Sequence, residues 1–600
     1  MTLDVRSRMD PSRTLSYVDV RREGGSVRRI VRHEWTLAVA GALALAVLMI
    51  WVLPPMVLGA ASAGAIRDGF ADPVHTIIGD SADPTGQAWL LAWNGHAIRH
   101  DPARLWDTNA FFPDLGGLAF NDTLLGYTPA GLIGNGVGAA ILRYNIMFVL
   151  VFALAALGAY ALARQLGANR VGAAVAGAAF AYAPWRYGHE GHLNILSTGG
   201  IALALAMLAR GHGWSLRHGY RPERVRPGWA LAGWLVAAWQ ISLGFGVGLP
   251  FFYVLAGVCL VAAAGWLVTG RPRLPRRLVV LDLAGGLAFA AVSGAMAWAY
   301  VRVRETHPEV LRSLDYVAVF SPTPKGFVVA PRSSLPWGTW HDAARTTLGE
   351  VPPEKALLCG YVLYGLAACG LLISIWTVRQ RVYLAAGVIA GALFLLGTNG
   401  PTFELLYHYL PGFDGSRTPG RLIVWPTLLL GILAAGFVTE LARQVREATL
   451  ENARAVAVRV VTVPLLVLVL IEGLPKMDHI RVPPAPAAMS AAAGPMIVLP
   501  FDDSSDLNIM LWSTEGFPVI ANGTSSVITP ARQQLRDLMQ SFPNAPTVAR
   551  LRELGIRSVV VVRERITGTP YAAAVDGPID NLGITRQSVG PDLLYTISPG

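Results

Sequence analysis

Long apolar stretches recur in series along this chain, roughly 16 to 25 residues each, with arginines in the short breaks between them. A helix of about 20 residues crosses about 30 Å of hydrocarbon, and inside lipid only a helix or a closed barrel satisfies its own backbone. No soluble core needs so many such blocks one after another. Apolar residues make up 53% of the chain and charged residues 15%, too little polar surface to solvate a 600-residue globule. The sequence therefore specifies an α-helical polytopic membrane protein.

Net charge is +10, which in a soluble chain would raise nucleic acid as a partner. Here the arginines lie where they set topology, and no nucleic-acid partner is expected. Lysine occurs only at Lys325, Lys355 and Lys476. Spans are expected near 36–60, 144–164, 170–184, 194–210, 228–246, 249–269, 279–300, 357–377, 382–397, 419–441 and 456–474, about eleven in all. Alternating sides from an inside N-terminus places Arg164 and Arg170, then Arg210 to Arg226, Arg271 to Arg277, Arg379 and Arg381, and Arg443 to Arg459 in inside loops, as the positive-inside rule requires. A partial or re-entrant segment at 123–140 would be a twelfth. Ala61-Ser62-Ala63 has the small-x-small look of a peptidase site, but the long preceding tail and full-length apolar run favour an uncleaved anchor.

The resulting organisation is a cytoplasmic basic tail at 1–35, a transmembrane domain at 36–475 with large outer loops 61–143 and 301–356, a Pro-rich linker at 476–493 and a small extracytoplasmic α/β domain at 494–600. In that last domain Met496 to Leu499 and Ser558 to Val562 have the pattern of buried strands, and 530–541 and 546–555 that of amphipathic helices. Cys259, Cys359 and Cys369 fall inside expected spans without CxxC spacing, as small packing residues rather than a disulfide or zinc framework.

Three segments carry polar groups able to do chemistry. The first outer loop begins Gly79-Asp80-Ser81-Ala82-Asp83-Pro84 and continues through Trp89, Trp93 and His96 at helical spacing. Asp80 and Asp83 can serve as a general base or share a divalent cation, the one cofactor the pattern allows for. Alternatively one of them caps a helix whose first residue is Pro84. That helix would lie along the membrane surface with its tryptophans at headgroup depth. Asp101, Asp107 and Asp122 have the look of solvated loop residues. The second segment, Tyr182 to Asn194, sets Arg186, His189 and His192 among aromatics, a phosphate-binding pattern or else an interfacial anchor built from Trp185, Arg186 and Tyr187. The third, Leu410 to Arg421, brings Arg417 and Arg421 to an outer surface where topology asks for no positive charge, so each either snorkels or meets an anion. Glu354 is a further acidic candidate. No Walker A loop, dinucleotide fingerprint or nucleophile elbow is present, and few charges lie inside the spans.

With these segments the chain resembles the GT-C superfamily of polytopic glycosyltransferases. The likeness rests on the spans across roughly 36–474, the acidic loop after the first of them and the cationic outer segments. Asp80 to His96, Arg186 to His192, Leu410 to Arg421, and Leu511 to Gly523 are more similar still to a bacterial branch with an extracytoplasmic C-terminal domain. The resemblance implies a plasma-membrane enzyme that moves a sugar from a polyprenyl-phosphate donor to a cell-envelope glycan, lipid or protein acceptor. It makes Asp80 or Asp83 the base, and Arg186, His189, His192, Arg417 and Arg421 the phosphate site. The aspartates stand as Asp-x-x-Asp where the superfamily has Asp-x-Asp or Asp-Glu, which leaves open the choice of base and any metal requirement. The competing expectation is non-enzymatic, a lipid or polymer flippase or a cell-envelope-binding scaffold.

Overall fold

The computed structural model describes residues 33–53, 72–79 and 82–598. The basic tail before His33, Ala61-Ser62-Ala63, Asp80 and Ser81 lie outside the described residues.

Among the described residues, eight helices are long and apolar enough to cross a bilayer: α1 (Glu34–Val52), α3 (Gly136–Leu166), α5 (Leu193–Gly211), α7 (Phe245–Val268), α8 (Arg276–Thr306), α10 (Val378–Leu395), α11 (Pro419–Ala448) and α12 (Arg454–Glu472). The chain is a multi-pass membrane protein. Helix α2 (Asp83–His100) lies between the first two of these. Three of the eleven expected spans are shorter helices: α4 (Arg170–Ala181), α6 (Pro227–Leu243) and α9 (Tyr361–Leu372), of 12, 17 and 12 residues. A 12-residue helix is only about 18 Å long, well short of the hydrocarbon thickness. The apolar runs of α4 and α9 continue into segments that are not α-helical, such as Tyr182 to Pro184 after α4, whereas α6 is followed across Gly244 by α7.

Helices α3, α5 and α11 are mostly covered by their neighbours, whereas α7, α8, α10 and α12 expose rows of large apolar side chains. Leu260, Val261, Leu283, Leu287, Ile389 and Val460 are each at least 60% exposed, which is the surface lipid requires and water would penalise. Inner crossings are close because glycine lines them. A Cβ at Gly158 would stand 2.3 Å from the Gly199 carbonyl, and one at Gly370 would stand 2.3 Å from that of Leu433. At one end of the bundle Glu34 accepts from Arg164 Nε at 2.6 Å, from Arg170 Nε at 2.9 Å and from the Tyr160 hydroxyl at 2.9 Å. That network ties the start of α1 to the end of α3 and the start of α4. The loops after α5 and α9 meet at this end, where Gln165 donates to the Trp214 carbonyl and Gln380 to that of Leu216, and the Asn169 N–H donates to Thr439 of α11.

The segment expected as a linker is built into the fold. Strand β1 (Thr76–Ile78) pairs antiparallel with β2 (His479–Arg481), Ile77 opposite Ile480, and Met477 and Val482 are buried beside it. Beyond it β3 (Met496–Leu499), β4 (Ser558–Val561), β5 (Ile584–Val589) and β6 (Asp592–Ile597) form a sheet of order β3-β4-β6-β5, with β3 and β4 parallel. Helices α13 (Asp503–Trp512), α14 (Pro530–Met539) and α15 (Ala545–Glu553) pack around it. This α/β unit docks on the segment between α1 and α3: α13 lies against α2, Asn109 Nδ2 donates to Ser513 Oγ at 2.9 Å, and Arg532 meets Asp114 at 3.3 Å.

Candidate functional site

Helix α2 begins at Asp83, with Pro84 pre-set for the first turn and Ala82 in the cap position. Ala82 offers no side-chain cap, and Asp83 is a first-turn residue rather than the cap. Its carboxylate instead faces the second segment: His192 Nε2 lies 3.2 Å from Asp83 Oδ2. Gly191 makes that approach possible, since a Cβ there would meet Asp83 Cβ at 2.9 Å and Pro84 Cδ at 3.1 Å. The His192 pKa is lowered by burial, against the pull of Asp83 and with the push of Arg421. A neutral ring facing a carboxylate satisfies it by carrying its proton on Nε2.

Behind His192 stands His189, fully buried, its ring edge-on to those of His192 and Trp185. Burial drives its pKa down to about 3, although Glu354 opposes the shift, so it too is neutral. Its Nε2 lies 3.9 Å from Glu354 Oε2. Glu354 in turn takes a two-pronged contact from Arg421, Nη2 to Oε1 at 2.5 Å and Nε to Oε2 at 3.2 Å. Burial alone would raise the Glu354 carboxyl, but Arg421, and after it His189, hold it at about 2.

Asp83, His192, Arg417 and Arg421 line one cavity of about 1160 Å³. It opens at the end of the bundle away from the arginine-rich loops, between the start of α7, the end of α8, the start of α11 and α13 of the C-terminal domain. One flank is apolar, with Phe252, Tyr253, Ala297 and Trp425. Another is a polar row: Gln87 Nε2 donates to Asn194 Oδ1 at 3.0 Å, and Asn194 Nδ2 donates to Asp122 Oδ2 at 2.6 Å. Asp122 Oδ1 accepts the Gly246 N–H at 3.0 Å. The loop aspartate expected to be solvated is therefore built into the cavity wall at the start of α7, and nothing in its sequence neighbourhood marks it. Arg417 lies over the Phe320 ring at 5.2 Å and donates to the Tyr316 hydroxyl at 3.3 Å.

Other expected site residues are placed elsewhere. Arg186 is fully buried and does not reach the cavity. It donates to Thr198 Oγ1 at 3.0 Å and the Leu196 carbonyl at 2.6 Å, and packs against Phe152 and Trp185. Trp185 and Tyr187 are buried as well, donating to Thr427 Oγ1 and the Gly473 carbonyl, so this segment is no interfacial anchor. Helix α2 does not lie on the membrane surface either. Trp89 and Trp93 are buried within the protein, donating to Asn109 Oδ1 at 3.1 Å and the Leu105 carbonyl at 3.0 Å. Among the described residues no group of three or more His, Cys, Asp or Glu is gathered in the way a metal ion needs, and Asp80 lies outside them. Cys259, Cys359 and Cys369 are free thiols.

Fold and cavity together define a polytopic helical membrane protein with a chamber, part apolar and part charged, beneath a docked α/β domain. No family model and no curated protein matches the sequence. Among solved structures, the chain is similar to a mutant of arabinofuranosyltransferase AftD from Mycobacteria at 16% identity and a TM-score of 0.46, over 94% of this chain and 41% of that one. It is also similar to ArnT from Cupriavidus metallidurans bound to undecaprenyl phosphate, at 14% identity and a TM-score of 0.40, over 90% of this chain and 99% of that one. The chain spans about two fifths of the length of AftD.

Proposed function

We propose that this chain moves a sugar from a polyprenyl-phosphate donor to a cell-envelope acceptor, with an aspartate of the first outer loop as the base. The observation that carries the reading is the sharing of one cavity by Asp83 and His192, by the cations Arg417 and Arg421, and by an apolar flank. Such a chamber suits a substrate that is charged at one end and hydrocarbon at the other. The basic loops belong in the cytoplasm by the positive-inside rule, which puts the cavity and the C-terminal domain on the extracytoplasmic face.

In this reaction the acceptor hydroxyl oxygen attacks the anomeric carbon and a carboxylate takes its proton. The bond from that carbon to the phosphate oxygen breaks, its electron pair leaves with the phosphate, and the anomeric centre inverts. Neutral His192 orients the Asp83 carboxylate without taking its charge. Fixed guanidinium charge at the phosphate stabilises what develops there. Arg186 acts as a positioning residue, holding the 182–192 segment rather than touching phosphate.

The test is envelope sugar composition in cells that lack the gene and are supplied with wild type, Asp80→Asn or Asp83→Asn. The wild type restores the missing sugar. Loss of that sugar in at least one variant, at normal membrane abundance, is the expected outcome, with a deficit of about a hundredfold or more for loss of a general base. Full restoration by both variants would leave the reading without its base and favour a flippase or a scaffold.

A further inference from the structure

Among the described residues four arginines line the cavity, and they are not equivalent. Arg304 is matched by Asp414 at 2.7 Å, and Arg421 by the two-pronged contact to Glu354. A guanidinium already matched by a carboxylate adds little net charge toward a bound anion. Arg312 and Arg417 are backed by aromatic faces instead, Arg312 over Tyr316 at 5.3 Å and Arg417 over Phe320 at 5.2 Å. Arg417 also donates to the Tyr316 hydroxyl, so both cations are gathered around one tyrosine. Burial lowers the Arg312 pKa, and against an upward push from Tyr316 the charge of Arg417 lowers it further, as two close cations should. Arg312 is firmly placed: its N–H donates to the Asp414 carbonyl at 3.1 Å, its carbonyl accepts the Tyr407 hydroxyl at 2.7 Å, and its Nη2 donates to the Ser526 carbonyl of the C-terminal domain.

Holding two cations together costs energy that an anion between them offsets, and the gain grows with the anion's charge. The further step rests on the transferase reading. There the donor is a phosphodiester with one negative charge. Breaking the bond to the anomeric carbon leaves the electron pair on the phosphate oxygen and creates a monoester of about −1.5 to −2 charge near pH 7. We infer that Arg312 and Arg417 form a paired-cation clamp that selects the phosphate monoester over the donor diester, which makes Arg312 a specificity-determining residue. The clamp is complementary to charge that develops during bond cleavage, so it favours the transition state over the bound donor. Glu354 serves the same end by neutralising Arg421, which keeps the uncompensated charge at the 312/417 position.

The test uses the purified full chain in nanodiscs with two probes, undecaprenyl phosphate and its monoanionic methyl diester, binding being measured by calorimetry at one fixed salt concentration. Wild type should bind the monoester about ten- to a hundredfold more tightly, the range expected for one added charge-assisted contact. Arg312→Gln should bring the two affinities close together with little change for the diester, and Arg312→Lys should keep part of the preference. Equal affinities in wild type, or an undiminished preference in Arg312→Gln, would overturn the clamp. If Arg312→Gln does not elute as a monodisperse protein, the same comparison in Arg417→Gln and Arg312→Lys decides, and full preference in both is refuting. Asp83→Asn separates this inference from the transferase reading, since it should stop transfer yet keep the monoester preference. Active Asp80→Asn and Asp83→Asn variants with that preference intact would sink the transferase and leave the clamp standing.

Discussion

Glu354 is the residue whose replacement says most about how the charges are arranged. Its carboxylate is buried, and Arg421 faces it through two contacts. Glu354→Gln strands a buried guanidinium and should cost about 3 kcal/mol, read as a lowered thermal unfolding midpoint in detergent. The pH dependence follows from the folded pKa of about 2 against 4.5 for the free group. Between those values the unfolded chain binds a proton that the folded chain does not, so stability rises with pH there. The pair's contribution is complete above about pH 4.5 and is lost as pH falls toward 2. Glu354→Gln should show a shallower acid loss across that window than wild type, and an identical acid limb would contradict the pairing. From sequence, only part of this site was visible: nothing marks Asp122 or Arg312, and the partition of charge was hidden. Asp83, His192, Arg417 and Arg421 stand out as polar groups in aromatic or Gly/Pro-rich surroundings. Whether an arginine is free or cancelled depends on a carboxylate 67 positions away, which no local pattern discloses.

At the scale of elements, the buried placement of α2 is the main departure from sequence expectation. A helix bearing Trp89 and Trp93 suits a headgroup boundary or a protein interior equally well. What decides is cover supplied from afar, by α13 of the C-terminal domain and by the short helix Thr128–Gly131. Gly95 is the contact that admits the latter: a Cβ there would stand 1.9 Å from the Gly131 carbonyl oxygen. Gly95→Ala should therefore destabilise by about 2 kcal/mol or more through overpacking. Gly257→Ala, in a helix where nothing lies within 4 Å, should be neutral or mildly stabilising. Equal unfolding midpoints for the two variants would contradict the close crossing. Strands β3 and β4 and helices α14 and α15 were legible because period and turn signals are local. The lengths of α4 and α9 were not, because apolar composition runs on past the last helical hydrogen bond.

The whole molecule is a helical bundle roofed by an α/β domain, and the roof is held by a buried ionic network as well as by apolar packing. Arg536 donates to Asp503 at 2.7 Å and to the fully buried Asp506 at 2.8 Å, and Asp506 also accepts from Asn522 and the Gly523 N–H. Burial raises the Asp506 pKa to about 6 even with Arg536 opposing it. Arg536→Ala leaves that carboxyl unpaired and should cost about 3 kcal/mol, read by limited proteolysis as faster cutting within 494–598 than in the bundle. The segment that joins bundle and roof looked like a linker because proline and alanine dominate it. Its pairing with β1 depends on a partner about 400 residues earlier, a relation that composition cannot carry. This docking also makes the cavity a joint product of both parts, with α13 and the loop to Val527 closing over Asp83 and Arg312.

Where the lipid phosphate sits is read most directly from a cryo-electron microscopy map of the Asp83→Asn protein with undecaprenyl phosphate. Phosphate density is expected against Arg312 and Arg417, with the isoprenoid chain along the flank of α7 and α8. Phosphate bound at a site remote from those arginines, or an empty cavity at saturating lipid, would contradict it.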